Sequence, residues 1–138
     1  MSHLVDANVL CEATRPEANP NVLAWLEKHD ADLHVSVITL GEIEKGIRLL
    51  PRSRKRSQLE RWYDELVASF EGRVLPVDQA VMSEWSALYA RNQKAGRLLP
   101  GFDSLLAATA ACHGLTIATR NADDFPADAK LVNPWKAG

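Results

Sequence analysis

The sequence is poor in the residues that mark many familiar chemistries. Cys11 and Cys112 are its only cysteines and lie far apart, with no CxxC and no paired Cys/His spacing. Zinc ribbons and dithiol redox motifs are thereby excluded, and the two thiols are expected to act as small buried hydrophobes in a reducing cytosol. The four histidines, His3, His29, His34 and His113, show no metal spacing. No GxSxG, P-loop or GxGxxG is present, so there is no sequence sign of a serine nucleophile, a Walker loop or a dinucleotide fold. Long hydrophobic runs are also missing: the longest, Leu105 to Cys112, is far short of the roughly 20 residues that cross a bilayer. Met1-Ser2-His3-Leu4-Val5-Asp6 offers neither the basic nor the apolar region of a secretory leader, so a cytoplasmic location without membrane contact is expected. Charge of one sign is scarce too. The formal net charge of −2 means that a nucleic-acid partner would have to be met by a local basic patch or through cations.

What is present is a soluble-protein composition, 46% hydrophobic over 138 residues, which fits one domain spanning 1–138 with a real core. His3-Leu4-Val5 reads as a buried strand, and Asp6-Ala7-Asn8 supplies capping residues before the apolar Val9-Leu10-Cys11. Pro16 and Pro20 bracket a loop, and Val22, Leu23, Trp25 and Leu26 then recur at helical spacing as far as Lys28-His29-Asp30. Leu33 to Ile38 is rich in β-branched residues and reads as a strand, with Thr39 to Glu42 fitting an S/T-x-x-E capping box. Ile43, Ile47 and Leu50 mark the buried face of the helix that follows, and Pro51 stops it. A further helix is expected over Ser57 to Phe70, a strand over Val74 to Val77, and a helix capped by Asp78. After a loop from Gly96 to Gly101, Asp103 opens a helix of small residues that ends near Gly114. Leu115 to Thr119 is a strand, Asn121 to Phe125 a turn, and Leu131-Val132 a last strand. Strands alternating with helices predict an α/β fold with a central, mainly parallel sheet covered on both faces.

In such sheets the reactive site lies beyond the carboxyl ends of the strands. Asp6, Glu42, Asp103 and the Asp123-Asp124 pair all fall in that kind of position. Each acid has a structural reading as well: Asp6 and Asp103 as helix N-caps, Glu42 as the partner of Thr39 in the capping box, Asp123 or Asp124 as a turn residue. Capping does not account for four acids ordered toward one sheet edge. Unneutralised carboxylates meeting there would raise one another's pKa and destabilise the fold, a conflict that a cation resolves. Carboxylate oxygens without Cys or His suit Mg²⁺ or Mn²⁺, and the chemistry they enable is phosphodiester hydrolysis without a protein nucleophile.

These segments also resemble a known family. Val5-Asp6-Ala7-Asn8-Val9-Leu10-Cys11-Glu12, Thr39-Leu40-Gly41-Glu42-Ile43-Glu44-Lys45-Gly46-Ile47, Asp103-Ser104-Leu105-Leu106-Ala107-Ala108-Thr109-Ala110 and Thr119-Arg120-Asn121-Ala122-Asp123-Asp124-Phe125 are similar, in order, to the four motifs of PIN-domain proteins of the VapC/FitB type. Asn133-Pro134-Trp135 resembles their ending, so the likeness spans nearly the whole chain. The resemblance implies a PIN fold and a Mg²⁺-dependent endoribonuclease, with Mn²⁺ able to substitute. It further implies the toxin role in a type II toxin–antitoxin pair, a cognate antitoxin that joins the toxin on promoter DNA, and a homodimer. Carried over residue by residue, Asp6, Glu42, Asp103 and Asp124 match the metal-binding and catalytic acids, with Asn8, Thr119 and Asn121 as supporting polar residues. Ala7 departs from the family, many members having Thr there. A FitB-like role mainly in transcriptional autoregulation, beside a ribbon-helix-helix antitoxin and with weak nuclease activity, is the alternative.

Glu44, two residues beyond Glu42, falls about 200° around a helix and is expected outside the pocket. Glu12 is open between a motif residue and a surface or dimer-facing acid. Arg48, Arg52, Arg54, Lys55, Arg56 and Arg61 form the one dense basic stretch, open between RNA phosphates, an antitoxin contact and a solvated helix. Trp25, Trp62, Trp85 and Trp135 are expected in core or interface packing before base stacking.

Overall fold

Leu4 and Val5 are consecutive, fully buried, and belong to two different hydrophobic cores. That division follows from the two-residue period of a strand with both faces covered. A computed structural model describes residues 2–136 and shows how the covering is achieved. The strands are β1 (His3–Val5), β2 (Leu33–Ser36), β3 (Val74–Leu75), β4 (Thr116–Ala118) and β5 (Leu131–Val132). The helices are α1 (Ala7–Glu12), α2 (Pro20–His29), α3 (Val37–Arg48), α4 (Arg54–Ser69), α5 (Gln79–Lys94) and α6 (Gly101–His113).

The sheet order is β3-β2-β1-β4-β5, and each neighbouring pair runs parallel. One core gathers Val5, Val9, Val22, Val35, Leu40, Ile43 and Ile47 under α1 to α4. The other gathers Leu4, Leu88, Leu106, Ala107, Ala110 and Ile117 under α5 and α6. Alanines at positions 107 and 110 keep α6 slim where α5 packs along it. Gly114 ends α6 in the left-handed region at φ 64°, and the Leu115 amide donates back to Ala110 O at 2.9 Å. This is the turn that glycine makes without steric cost.

Several local expectations are corrected. Strand β2 stops at Ser36, whose hydroxyl accepts from the Ile38 amide at 3.1 Å and caps α3. Thr39 is therefore inside the helix, fully buried, and the capping box with Glu42 does not form. The polar cap outweighed the β-branched run, so Val37 and Ile38 became helical. Helix α3 ends at Arg48, before Leu50. Ser53 caps α4 by accepting from the Arg56 amide, which starts that helix at Arg54 instead of Ser57. Helix α6 begins at Gly101, placing Asp103 inside the first turn and excluding it as the N-cap.

The chain passes from β1 outward to β2 and β3, then returns to the other side of β1 for β4 and β5. The carboxyl ends of β1 and β4 thus flank the point where the winding reverses, the position at which such folds form their crevice. Among the described residues no helix is long and apolar enough to cross a membrane.

Candidate metal centre

Asp6 follows β1 directly and caps α1, accepting from the Ala7 amide at 2.8 Å. It does more than cap. Its other carboxylate oxygen accepts from the Thr119 hydroxyl at 2.8 Å and from Asn8 Nδ2 at 3.3 Å. Thr119, only 1% exposed and just beyond β4, in turn accepts from the Asn121 amide at 3.0 Å. Asn8 closes the ring by donating to Thr119 Oγ1 at 3.4 Å while its Oδ1 accepts from the Arg120 amide at 3.3 Å. The network spans the gap between the ends of β1 and β4, and a side chain buried with its partners satisfied is held in one orientation. Asn8 and Thr119 thus meet Asp6 directly, whereas Asn121 reaches it only through its backbone amide on Thr119.

The other acids enter from the middle of α3, the first turn of α6 and the turn after β4. Glu42 lies on α3, half-buried, and burial followed by the charge of Asp6 pushes its carboxyl above the usual glutamate range. Burial also raises Asp6, against the opposing effect of its hydrogen bonds, and Asp124 adds to the rise. Asp103 responds most: burial, then the charges of Asp6, Asp124 and Glu42, lifts it to about 6. Asp103 therefore lies in the field of the other three acids, Asp6 in that of Asp124 and Glu42 in that of Asp6, where Lys45 offsets part of the rise. Among the described residues the ion pairs are Glu12–Arg15, Glu44–Arg48, Glu60–Arg56 and Asp128–Arg91, so none of the four acids is neutralised by an ion-paired cation.

The arrangement is looser than a closed cage: among the described residues no three acidic, histidine or cysteine side chains stand together as a ready-made metal-ligating group. Unneutralised carboxylates are expected to hold apart in this way. The donor set still fits Mg²⁺ or Mn²⁺. These ions keep several waters and need only one or two direct carboxylates, whereas a structural zinc site would need four convergent soft or imidazole donors.

The structure separates the remaining candidates. Asp124, half-buried, contributes to the fields at Asp6 and Asp103, whereas Asp123 is exposed and is absent from both. Glu12 is 4% exposed, and its carboxylate accepts from the Asn19 amide at 2.8 Å and pairs with Arg15 at 3.2 Å. The Asn19 bond, aided by Arg15, holds it below the usual glutamate range. It is a brace between α1 and the start of α2, which corrects the surface reading. Glu44 pairs with Arg48 at 3.3 Å, away from Glu42 as its helical offset requires. Arg56 donates to Leu50 O at 3.0 Å and stabilises its own turn, and Arg48 pairs with Glu44, leaving Arg52, Arg54, Lys55 and Arg61 as the other exposed members of the basic stretch. Trp25 and Trp62 pack on the first core, Trp85 donates to Ser104 Oγ at 2.9 Å, and Trp135 lies under the Arg120 guanidinium.

Sequence reasoning missed two residues. Cys11 has a thiol pushed up by burial and then by Asp6 and Glu42, so it stays protonated beside the acids. Arg97 reaches the turn that carries Asp124. Only proximity in three dimensions reveals either, since neither has a diagnostic spacing. Beside Glu42 opens a mostly apolar cleft of about 340 Å³, lined by Ala7, Cys11, Ile43, Ile47, Leu59 and Trp62 among others.

A parallel sheet with Asp103 in the field of three further acids near its switch point defines a class, and comparison with known proteins gives it a family. The PIN domain model matches residues 3–130, and the chain belongs to that family. It is 36% identical over 135 residues to Toxin FitB of Neisseria gonorrhoeae, covering 96% of this chain and 97% of the relative. It is 32% identical over 136 residues to VapC ribonuclease Y4jK of Sinorhizobium fredii, with 96% and 97% covered. Among solved structures, FitAB bound to an IR36 DNA fragment superposes with a TM-score of 0.92 at 33% identity, over 99% of this chain and 97% of that one. The DNA-bound VapBC of Salmonella typhimurium, at a TM-score of 0.80 and 18% identity with 99% of each chain covered, shares the fold.

Proposed function

We propose that this chain is a divalent-cation-dependent endoribonuclease, the toxin of a type II toxin–antitoxin pair. The observation that carries the reading is Asp103 in the field of Asp6, Asp124 and Glu42, with none of the four acids in an ion pair among the described residues. Those four acids would hold Mg²⁺, or Mn²⁺ in its place. A bound ion of this kind supplies charge neutralisation at a phosphodiester and acidifies an attacking water. The protein's own part is orientation. Thr119, Asn8 and the Ala7 amide fix Asp6, and an ionised carboxylate so held still has acceptor capacity for a cation. Asp103, lifted to about 6, gives up its proton when a cation is present and keeps it more readily when none is.

The names of the relatives support the biological role: one is a toxin and another a VapC ribonuclease. A cognate antitoxin is the expected partner, and the apolar cleft bordering Glu42 gives it surface on which to cover the acids. Promoter DNA would be met only through that complex, and a homodimer is the proposed assembly. The test is cleavage of RNA by the purified chain in Mg²⁺ and in EDTA, with Asp6→Asn as the variant. Cleavage that needs the ion and vanishes in the variant is expected; undiminished cleavage by Asp6→Asn argues against the reading.

A second reading is favoured by one observation, the similarity to FitAB solved on DNA. In it the chain acts chiefly in transcriptional autoregulation beside a ribbon-helix-helix antitoxin, with weak nuclease activity. Tight operator binding by the pair, with no RNA turnover by the chain alone, selects it.

A further inference from the structure

Arg97 lies in the segment between α5 and α6, the segment that leads into the helix carrying Asp103. Its backbone amide donates to Asn92 O at 2.8 Å, which ties it to the end of α5. Its guanidinium reaches across to the turn after β4 and donates from Nη2 to the carbonyls of Asp123, at 3.0 Å, and Phe125. Those two carbonyls flank Asp124. The turn itself is a single 3-10 loop in which Asp124 N donates to Asn121 O at 3.1 Å and Phe125 N to Ala122 O at 3.2 Å. Phe125 is 1% exposed and anchors the far side of the turn in the second core.

Two features set Arg97 apart from an ordinary surface arginine. First, among the described residues it forms no ion pair with any of the four acids, and the charges acting on Asp103 are those of Asp6, Asp124 and Glu42. Its donors go to backbone carbonyls, so it shapes the acid-bearing turn without neutralising it. Second, it links the two segments that supply Asp103 and Asp124, which otherwise come from distant parts of the sequence.

We infer that Arg97 is a positioning residue for the metal centre, holding Asp124 at a fixed distance from Asp103. The inference rests on the metal-dependent reading above. Groups that orient ligands in this way are worth roughly 10-fold to 100-fold in metal affinity.

Arg73 provides a matched control. It too donates to backbone carbonyls, those of Asp30, Leu33 and Ser69, but near the start of β2 at the opposite end of the sheet. The experiment measures Mn²⁺ affinity of the full chain by calorimetry and by electron paramagnetic resonance, for wild type, Arg97→Met and Arg73→Met, alongside Tm in EDTA. Arg97→Met is expected to bind Mn²⁺ about 10-fold more weakly. Its RNA cleavage should recover as Mn²⁺ is raised, while Arg73→Met keeps wild-type affinity whatever its Tm. Equal affinity in Arg97→Met and wild type overturns the inference. So does an equal loss in both variants, which would make the effect a general loosening. If Arg97→Met does not fold, Arg97→Lys carries the test, since it keeps a cation but loses the guanidinium fork; a smaller loss in the same direction supports the inference and wild-type affinity overturns it. Should the wild-type chain itself bind no Mn²⁺, the metal-dependent reading fails, an outcome distinct from a wild type that binds and an Arg97 variant that binds equally well.

Discussion

Replacing Asp103 with asparagine is predicted to stabilise the protein above about pH 6 when divalent ions are absent. The carboxyl titrates near 3.8 in an unfolded chain and at about 6 in the fold, because burial and then Asp6, Asp124 and Glu42 oppose its ionisation. A group whose folded pKa is raised contributes stability that is complete below the unfolded value and is lost as pH rises through the folded one. The window here therefore runs from about pH 4 to about pH 6. Taken at face value, the interval corresponds to about 3 kcal/mol at ~1.36 kcal/mol per decade. Asp103 is only half-buried, so solvent screening reduces this substantially. Its place in the first turn of α6 returns another ~0.5 kcal/mol through the helix dipole. About 1 kcal/mol remains, equivalent to a Tm higher by roughly 3–4 °C in a domain of this size. Thermal unfolding at pH 8 in EDTA should show that gain for Asp103→Asn, and the gain should close by pH 4. Adding Mg²⁺ should raise the Tm of wild type more than that of the variant. An Asp103→Asn protein no more stable than wild type at pH 8 in EDTA would refute the reasoning, because it would mean that the acids do not repel.

Thr119→Val removes both the donor to Asp6 and the acceptor for the Asn121 amide, and should cost about 2 kcal/mol in urea denaturation. Because the Thr119 bond lowers the Asp6 carboxyl, its loss raises that carboxyl further and moves the acid limb of the pH–rate profile to higher pH; an unmoved limb would show that Asp6 does not depend on this bond. Leu106→Ala opens a cavity at a fully buried position beneath α6 and should lower unfolding stability by ~2–5 kcal/mol, with a change below ~1 kcal/mol contradicting its place in the core. Glutamines at Arg52, Arg54 and Lys55, sparing Arg56, should weaken RNA binding and reduce the slope of log affinity against log salt by about 0.7 for each phosphate no longer neutralised. An unchanged slope would assign the stretch to another role.

The order of strands and helices was legible because buried strands such as His3–Val5 and periodic helices such as Gln79–Lys94 carry strong local patterns. Boundaries were legible only where one cap dominated. Asp78 accepts from the Val81 amide as its position implied, but Ser36 captured the start of α3 from a β-branched run that propensity alone assigns to a strand. The acids could be nominated from their places after strands and from the family likeness. The field of the other three at Asp103, and the absence of a closed cage among the described residues, depend on distances between segments that no spacing encodes. Glu12 illustrates the same limit: its sequence position left it open between a motif residue and a surface or dimer-facing acid, whereas its partner is a backbone amide seven residues on. Arg97 left no trace in the sequence at all, since its partners are carbonyls, which every residue has.

The most direct test of the central claim is anomalous diffraction from a crystal soaked in Mn²⁺. A peak bounded by the carboxylates of Asp6, Glu42, Asp103 and Asp124, and lost in an Asp6→Asn crystal, is the predicted result. A fully soaked crystal with no peak there, its four carboxylates left apart, would contradict the account.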